Sequence, residues 1–91
     1  MKVFRWDNEK NEKLKKSRGV CFEQVVLLME REDVLDTIEH PNQDKYPSQK
    51  LAIVKIENYI YLVPYVRERD EIFLKTIIPS RKATKKYVRA Q

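Results

Sequence analysis

The chain holds a single glycine, Gly19, a single cysteine, Cys21, and a single histidine, His40. One glycine cannot build a Gly-rich loop that cradles phosphate with its backbone. One cysteine excludes an intrachain disulfide, and one thiol with one imidazole leaves no metal cluster of recognisable spacing, so neither a metal nor a cofactor is expected. No uninterrupted apolar run approaches the roughly 20 residues that a bilayer span needs. The opening Met-Lys-Val-Phe-Arg-Trp-Asp lacks the apolar stretch of a signal peptide. These absences lead us to expect a soluble, cytoplasmic protein with no membrane partner.

What is present is charge, unevenly placed. The 91 residues suit a single domain spanning 1–91, and 42% apolar residues fit a folded chain. Lys and Arg number 19 against 14 Asp and Glu. Arg81, Lys82, Lys85, Lys86 and Arg89 follow Pro79 with no acid among them, so the whole formal charge of +5 resides in this tail. A basic patch of this kind favours an anionic partner, either nucleic acid or an acidic protein segment. From Glu23 to Glu39 the balance reverses, and that acidic run reads equally as a solvated face or as a counterweight to a basic surface.

Periodicity gives the elements. Lys2 to Trp6 alternates and suits a brief strand or an extended arm. Asp7 caps a helix from Asn8 to about Ser17, with Glu9/Lys13 and Glu12/Lys16 at i,i+4, and Gly19 ends it as a left-handed residue. Phe22, Val25, Val26 and Met29 fall on one stripe of a second helix, about Phe22 to Arg31, which Cys21 extends as a small buried hydrophobe. Strands are expected at Val34–Ile38, Lys50–Glu57, Tyr59–Val66 and Ile72–Ile78, with a polar loop from His40 to Ser48 and a tight turn at Asn58. Pro64 belongs at an edge or a bulge. Pro79 ends the last strand, and Ser80 is a good N-cap for a short basic helix. The order predicts an α+β domain: two N-terminal helices packed on a curved antiparallel sheet of about four strands, with a short basic C-terminal helix.

Two stretches resemble one known family. Phe4-x-Trp6-Asp7-x-x-Lys10-x-x-x-Leu14, followed by Gly19-Val20-x-Phe22-Glu23, resembles the opening of BrnT-type toxins of type II toxin-antitoxin systems. Ile77-Ile78-x-x-Arg81-Lys82-Ala83-Thr84-Lys85 resembles that family's terminal strand and helix. The resemblance implies a RelE/ParE-like fold, a ribonuclease that cleaves messenger RNA and inhibits translation, and neutralisation by a cognate antitoxin, often of the ribbon-helix-helix type. It implies that DNA is touched only through the antitoxin complex. Departures from the family pattern bear on catalysis: Lys16-Ser17-Arg18-Gly19 stands where the family has Lys-His-Gly, Gln49-Lys50 replaces an acid and an arginine, and Thr76 stands where an arginine precedes the paired isoleucines.

Metal-free RNA cleavage makes the substrate's own 2′-hydroxyl the nucleophile. It needs a proton acceptor, a cation facing the phosphoryl oxygens and a donor for the leaving 5′-oxygen. Arg81, at a strand-to-helix junction, is the candidate for phosphate stabilisation. His40 is the candidate for acid-base work, since imidazole ordinarily titrates near neutrality. The resemblance completes the catalytic set with Lys50, at a strand start where the family has an arginine, and Lys10, which matches the family's first-helix lysine. Lys82, Lys85, Lys86 and Arg89 would hold the RNA backbone by salt-dependent attraction. Tyr59, Tyr61 and Tyr65 share one strand face and either stack on bases, with Tyr65 foremost, or form core. The alternative to an enzyme is a non-catalytic module that docks an antitoxin and acts with it as a transcriptional repressor.

Overall fold

Asp7 begins the first regular element as its side chain accepts from the amides of Glu9 and Lys10, ahead of helix α1 (Asn8–Arg18). A computed structural model describes residues 2–88. Strand β1 (Val3–Arg5) precedes α1. After it come α2 (Phe22–Glu30), β2 (Asp36–Glu39), β3 (Lys50–Ile56), β4 (Tyr59–Glu68), β5 (Glu71–Leu74), β6 (Ile78–Pro79) and α3 (Arg81–Tyr87).

Gly19 closes α1 at φ 69°, where its amide donates to the Lys15 carbonyl at 3.2 Å, a left-handed cap that a side chain would strain. The turn into α2 is held by one buried polar residue. Asn11 accepts from the Phe22 amide at 2.8 Å and donates to the Glu23 carboxylate at 2.7 Å. Cys21 donates its own amide to the Gln24 side chain at 3.0 Å, half of a capping box. The expected stripe forms in Phe22 and Val25, fully buried, with Val26 and Met29 packed against the same cluster, but Cys21 does not extend it, being the half-buried N-cap. The expected ion pairs on α1 do not form in the expected register, for Glu12 meets Lys15 at 3.3 Å instead of Lys16.

The sheet differs from a four-strand antiparallel meander. It is mixed, with order β1-β5-β4-β3-β2 and β6 paired to β4. The N-terminal segment joins it as a strand parallel to β5, with Phe4 opposite Ile72. Glu57 and Asn58 both take positive φ, 49° and 66°, which suits the two-residue hairpin between β3 and β4.

The strand expected at Ile72–Ile78 is broken in two, and Pro64 is the reason. The N–H and C=O of a strand residue point to the same side, and the Pro64 carbonyl accepts from the Lys75 amide at 2.8 Å. The donor that proline lacks would therefore face this same neighbouring segment. The ladder fails there. β5 pairs with β4 through Tyr65–Leu74, β6 through Leu62–Ile78, and the register slips by one residue between them. Lys75, Thr76 and Ile77 form the resulting bulge. Arg18, at the end of α1, donates to the Ile77 carbonyl at 2.7 Å.

The helices α1 and α2 cover one face. Leu14, Val20, Phe22 and Val25 meet Ala52, Val54, Ile56, Val63, Tyr65, Ile72, Leu74 and Ile77 in one cluster. Trp6 stacks on Phe22 with ring centroids 5.9 Å apart. Leu51, Ile53 and Ile60 belong to the opposite face and are also buried. The third helix runs along β4. The Ile60 amide donates to the Thr84 hydroxyl at 2.9 Å, and the Ser80 amide to the Ile60 carbonyl at 3.0 Å. Ser80 caps α3 as expected, accepting from the Ala83 amide at 3.1 Å.

Candidate functional site

The segment between β2 and β3 lacks regular structure, yet several hydrogen bonds tie it to itself. The His40 amide donates to the Gln49 carbonyl at 3.0 Å and the Tyr46 amide to the Asn42 carbonyl at 2.9 Å. Asn42 Oδ1 accepts from the Lys45 amide, while the Gln43 side-chain amide donates to the His40 and Gln49 carbonyls at 2.8 and 3.3 Å. A loop bonded to itself in this way presents its side chains from a fixed frame.

This loop, the bulge and α1 together enclose a groove of about 380 Å³ lined by Lys10, His40, Tyr46, Gln49, Pro64, Lys75, Thr76 and Ile78. Of the sequence candidates, Lys10 and His40 are brought together here. No carboxylate is among the lining residues, although the chain has 14 acids. With two lysines and no acid, the lining of the groove carries net positive charge, and its volume is in the range of small-ligand sites.

One hydrogen bond orients the His40 ring. Its Nδ1 accepts from the Asn42 amide at 3.1 Å, so the proton of the neutral ring sits on Nε2. The Tyr46 ring lies against it, with centroids 4.4 Å apart. In this state His40 is a hydrogen-bond donor. To carry a proton between substrate atoms it must first release Asn42, because an imidazole gives up a proton readily only when both nitrogens hold one.

The other sequence candidates lie elsewhere. Lys50 pairs with Glu39 and Tyr65, is exposed, and is not a lining residue of the groove, although its neighbour Gln49 is. Arg81 is the exposed first residue of α3 and likewise does not line it. Tyr65 is 8% exposed within the core cluster and offers no free face to a base. Its strand must bury one side, and Tyr65 is on it. Lys82 and Lys86 edge a second, more apolar groove with Asp36, Ile38, Ile53, Leu62, Ala83 and Tyr87. Lys85 is exposed on the same helix, and Arg89 lies outside the described residues. The strand β6 separates the two grooves, Ile78 lining the first and Ser80 the second.

Sequence reasoning did not name Lys75 or Tyr46 as site residues, and it met Thr76 and Gln49 only as departures from the family pattern. The bulge opposite Pro64 puts Lys75 and Thr76 into the groove, and only the sheet register reveals it. Among the described residues, no group of three or more His, Cys, Asp or Glu is placed to hold a metal, and no helix is long and apolar enough to cross a membrane. No family model, curated protein or solved structure matches the chain.

Proposed function

We propose that the chain is the toxin of a type II toxin-antitoxin pair, with a RelE/ParE-like scaffold of the BrnT type, and that it cleaves messenger RNA in the cytoplasm without a metal. The observation that carries this reading is the acid-free groove in which Lys10, Lys75 and the lone histidine converge. The residue resemblance described above supports it independently.

In the reaction, the 2′-oxygen attacks the adjacent phosphorus, the bond to the 5′-oxygen breaks, and a 2′,3′-cyclic phosphate remains. The 2′-hydroxyl gives its proton to a water molecule, and the leaving 5′-oxygen takes one from water in turn. Lys10 and Lys75 face the charge that builds on the phosphoryl oxygens, and His40 Nε2–H donates to one of them. The cations of α3, Lys82, Lys85 and Lys86, hold the flanking backbone. Purified protein should cut single-stranded RNA in excess EDTA, and Lys10→Ala or Lys75→Ala should each slow the cutting by about tenfold or more. RNA that binds and stays whole rejects the enzyme.

A second reading is favoured by the groove beside α3. Its floor is Ile38, Ile53 and Leu62, and its rim carries Lys82 and Lys86, a pattern suited to an amphipathic helix with an acidic flank. In that reading the protein is a non-catalytic module that docks a ribbon-helix-helix antitoxin and represses transcription through it. Inducing the gene alone separates the two: growth arrest with loss of messenger supports the enzyme, and unimpaired growth supports the module.

A further inference from the structure

We infer that the groove between the His40–Gln49 loop and the Lys75–Ile77 bulge is a mononucleotide subsite, in which Lys10 and Lys75 take the phosphate and Tyr46 with Gln49 takes the base. This deepens the ribonuclease reading and draws on it only for the polymer to which the nucleotide belongs.

Three kinds of chemistry meet in one concavity. The amines of Lys10 and Lys75, with no competing carboxylate, suit a phosphate. The paired rings of His40 and Tyr46 supply an aromatic surface on which a base can stack, and the Lys45 amine, 5.4 Å from the Tyr46 centroid, adds positive charge near that ring. The neutral side chains of Gln49 and Thr76 supply donors and acceptors together, as a base edge requires. An acidic peptide would use only the first of these sets, whereas a nucleotide uses all three.

Gln49 is set up for reading an edge. Its main chain is consumed by the loop, the carbonyl accepting from His40 and Gln43 and the amide donating to Tyr46. None of those bonds uses its side-chain amide. The partner that holds the loop shut is Gln43, so Gln49 is left to face the groove. Because the frame already exists, little ordering of the loop opposes binding.

The test is a titration of the full chain, followed by amide chemical shifts, with adenosine 3′-monophosphate, adenosine and inorganic phosphate as separate probes. The nucleotide should move the amides of residues 40–49 and 75–76 and bind at least about tenfold tighter than either half alone. Gln49→Met keeps the chain length and every main-chain bond of the loop. It should weaken nucleotide binding by about tenfold and leave inorganic phosphate binding unchanged, whereas Lys75→Ala should weaken both. Inorganic phosphate binding as tightly as the nucleotide, an unaltered Gln49→Met variant, or displacement of the nucleotide by a polyglutamate peptide would each overturn the subsite. Nucleotide binding without RNA cleavage would reject the enzyme and keep the subsite. Cleavage whose rate and base preference survive Gln49→Met would do the reverse.

Discussion

The Arg18 guanidinium donates to the Ile77 carbonyl at 2.7 Å, tying the last residue of α1 to the sheet bulge across 59 positions of sequence. The bulge exposes carbonyls that a continuous ladder would have paired, and a charged donor satisfies one of them. Arg18→Ala should destabilise the fold by about 1 kcal/mol, less than a buried hydrogen bond to a charged group because the arginine is exposed. Urea unfolding measures this. The same variant should broaden the amide signals of residues 75–77, since their anchor is gone.

Among the described residues Asn11 is the one buried polar residue of the core, 4% exposed, and both ends of its amide are used. Asn11→Leu keeps the branching of the side chain but leaves the Phe22 amide without a partner at the start of α2. A loss of about 2 kcal/mol is expected from that unsatisfied donor. An unchanged urea midpoint would show that water reaches the Phe22 amide.

Gly19 separates two causes of strain. A methyl group added there would meet no atom within 4 Å, yet φ is 69°. Gly19→Ala should therefore be destabilising by about 1 kcal/mol through the backbone alone. Gly19→Asn should recover part of the loss, because asparagine tolerates the left-handed region better, and thermal melts of the two variants give the comparison.

Glu23 links the same junction to pH. The hydrogen bond from Asn11, reinforced by Glu23's own backbone amide, holds its carboxyl below the ordinary glutamate value. Folding thus favours the carboxylate. The stabilisation is complete above the ordinary value and vanishes as pH falls through the lowered one. Measured from neutral to acid pH, the unfolding midpoint of the wild type should fall towards that of Glu23→Gln across this window, and the gap between them should be constant above it.

Arg81 and Lys75 should part company in kinetics. Lys75 lines the groove and Arg81 does not. Lys75→Ala should lower kcat for RNA cleavage, whereas Arg81→Ala should raise KM and reduce the salt dependence of binding with little change in kcat. A larger fall in kcat for Arg81→Ala than for Lys75→Ala would move the chemistry to α3.

Helix ends were legible because each is marked locally: Asp7 and Ser80 as caps, Gly19 as a left-handed stop. Buried faces were legible for the same reason, Phe22, Val25 and Met29 repeating with the helix. The break of the last strand was not. Pro64 announced a disruption, but which neighbour loses its partner depends on register, and register is a property of the assembled sheet. Lys75 and Thr76 inherit that opacity, as does Arg18, whose partner lies far along the chain. His40 could be named by residue type, and Lys10 only by the resemblance of the first helix. The tautomer of His40 needed the loop geometry, and Tyr46 and Gln49 needed to be seen facing the same space.

The pairing of β1 with β5 bears on how the molecule is made. Val3 donates its amide to the Asp70 carbonyl at 2.7 Å, and Arg5 meets Glu71 at 2.8 Å. A nascent chain therefore releases its first strand long before the hairpin that completes it has left the ribosome. Closing so distant a contact is slow. Until then Phe4 and Trp6 have no sheet to cover, and their apolar surface stays open to other chains.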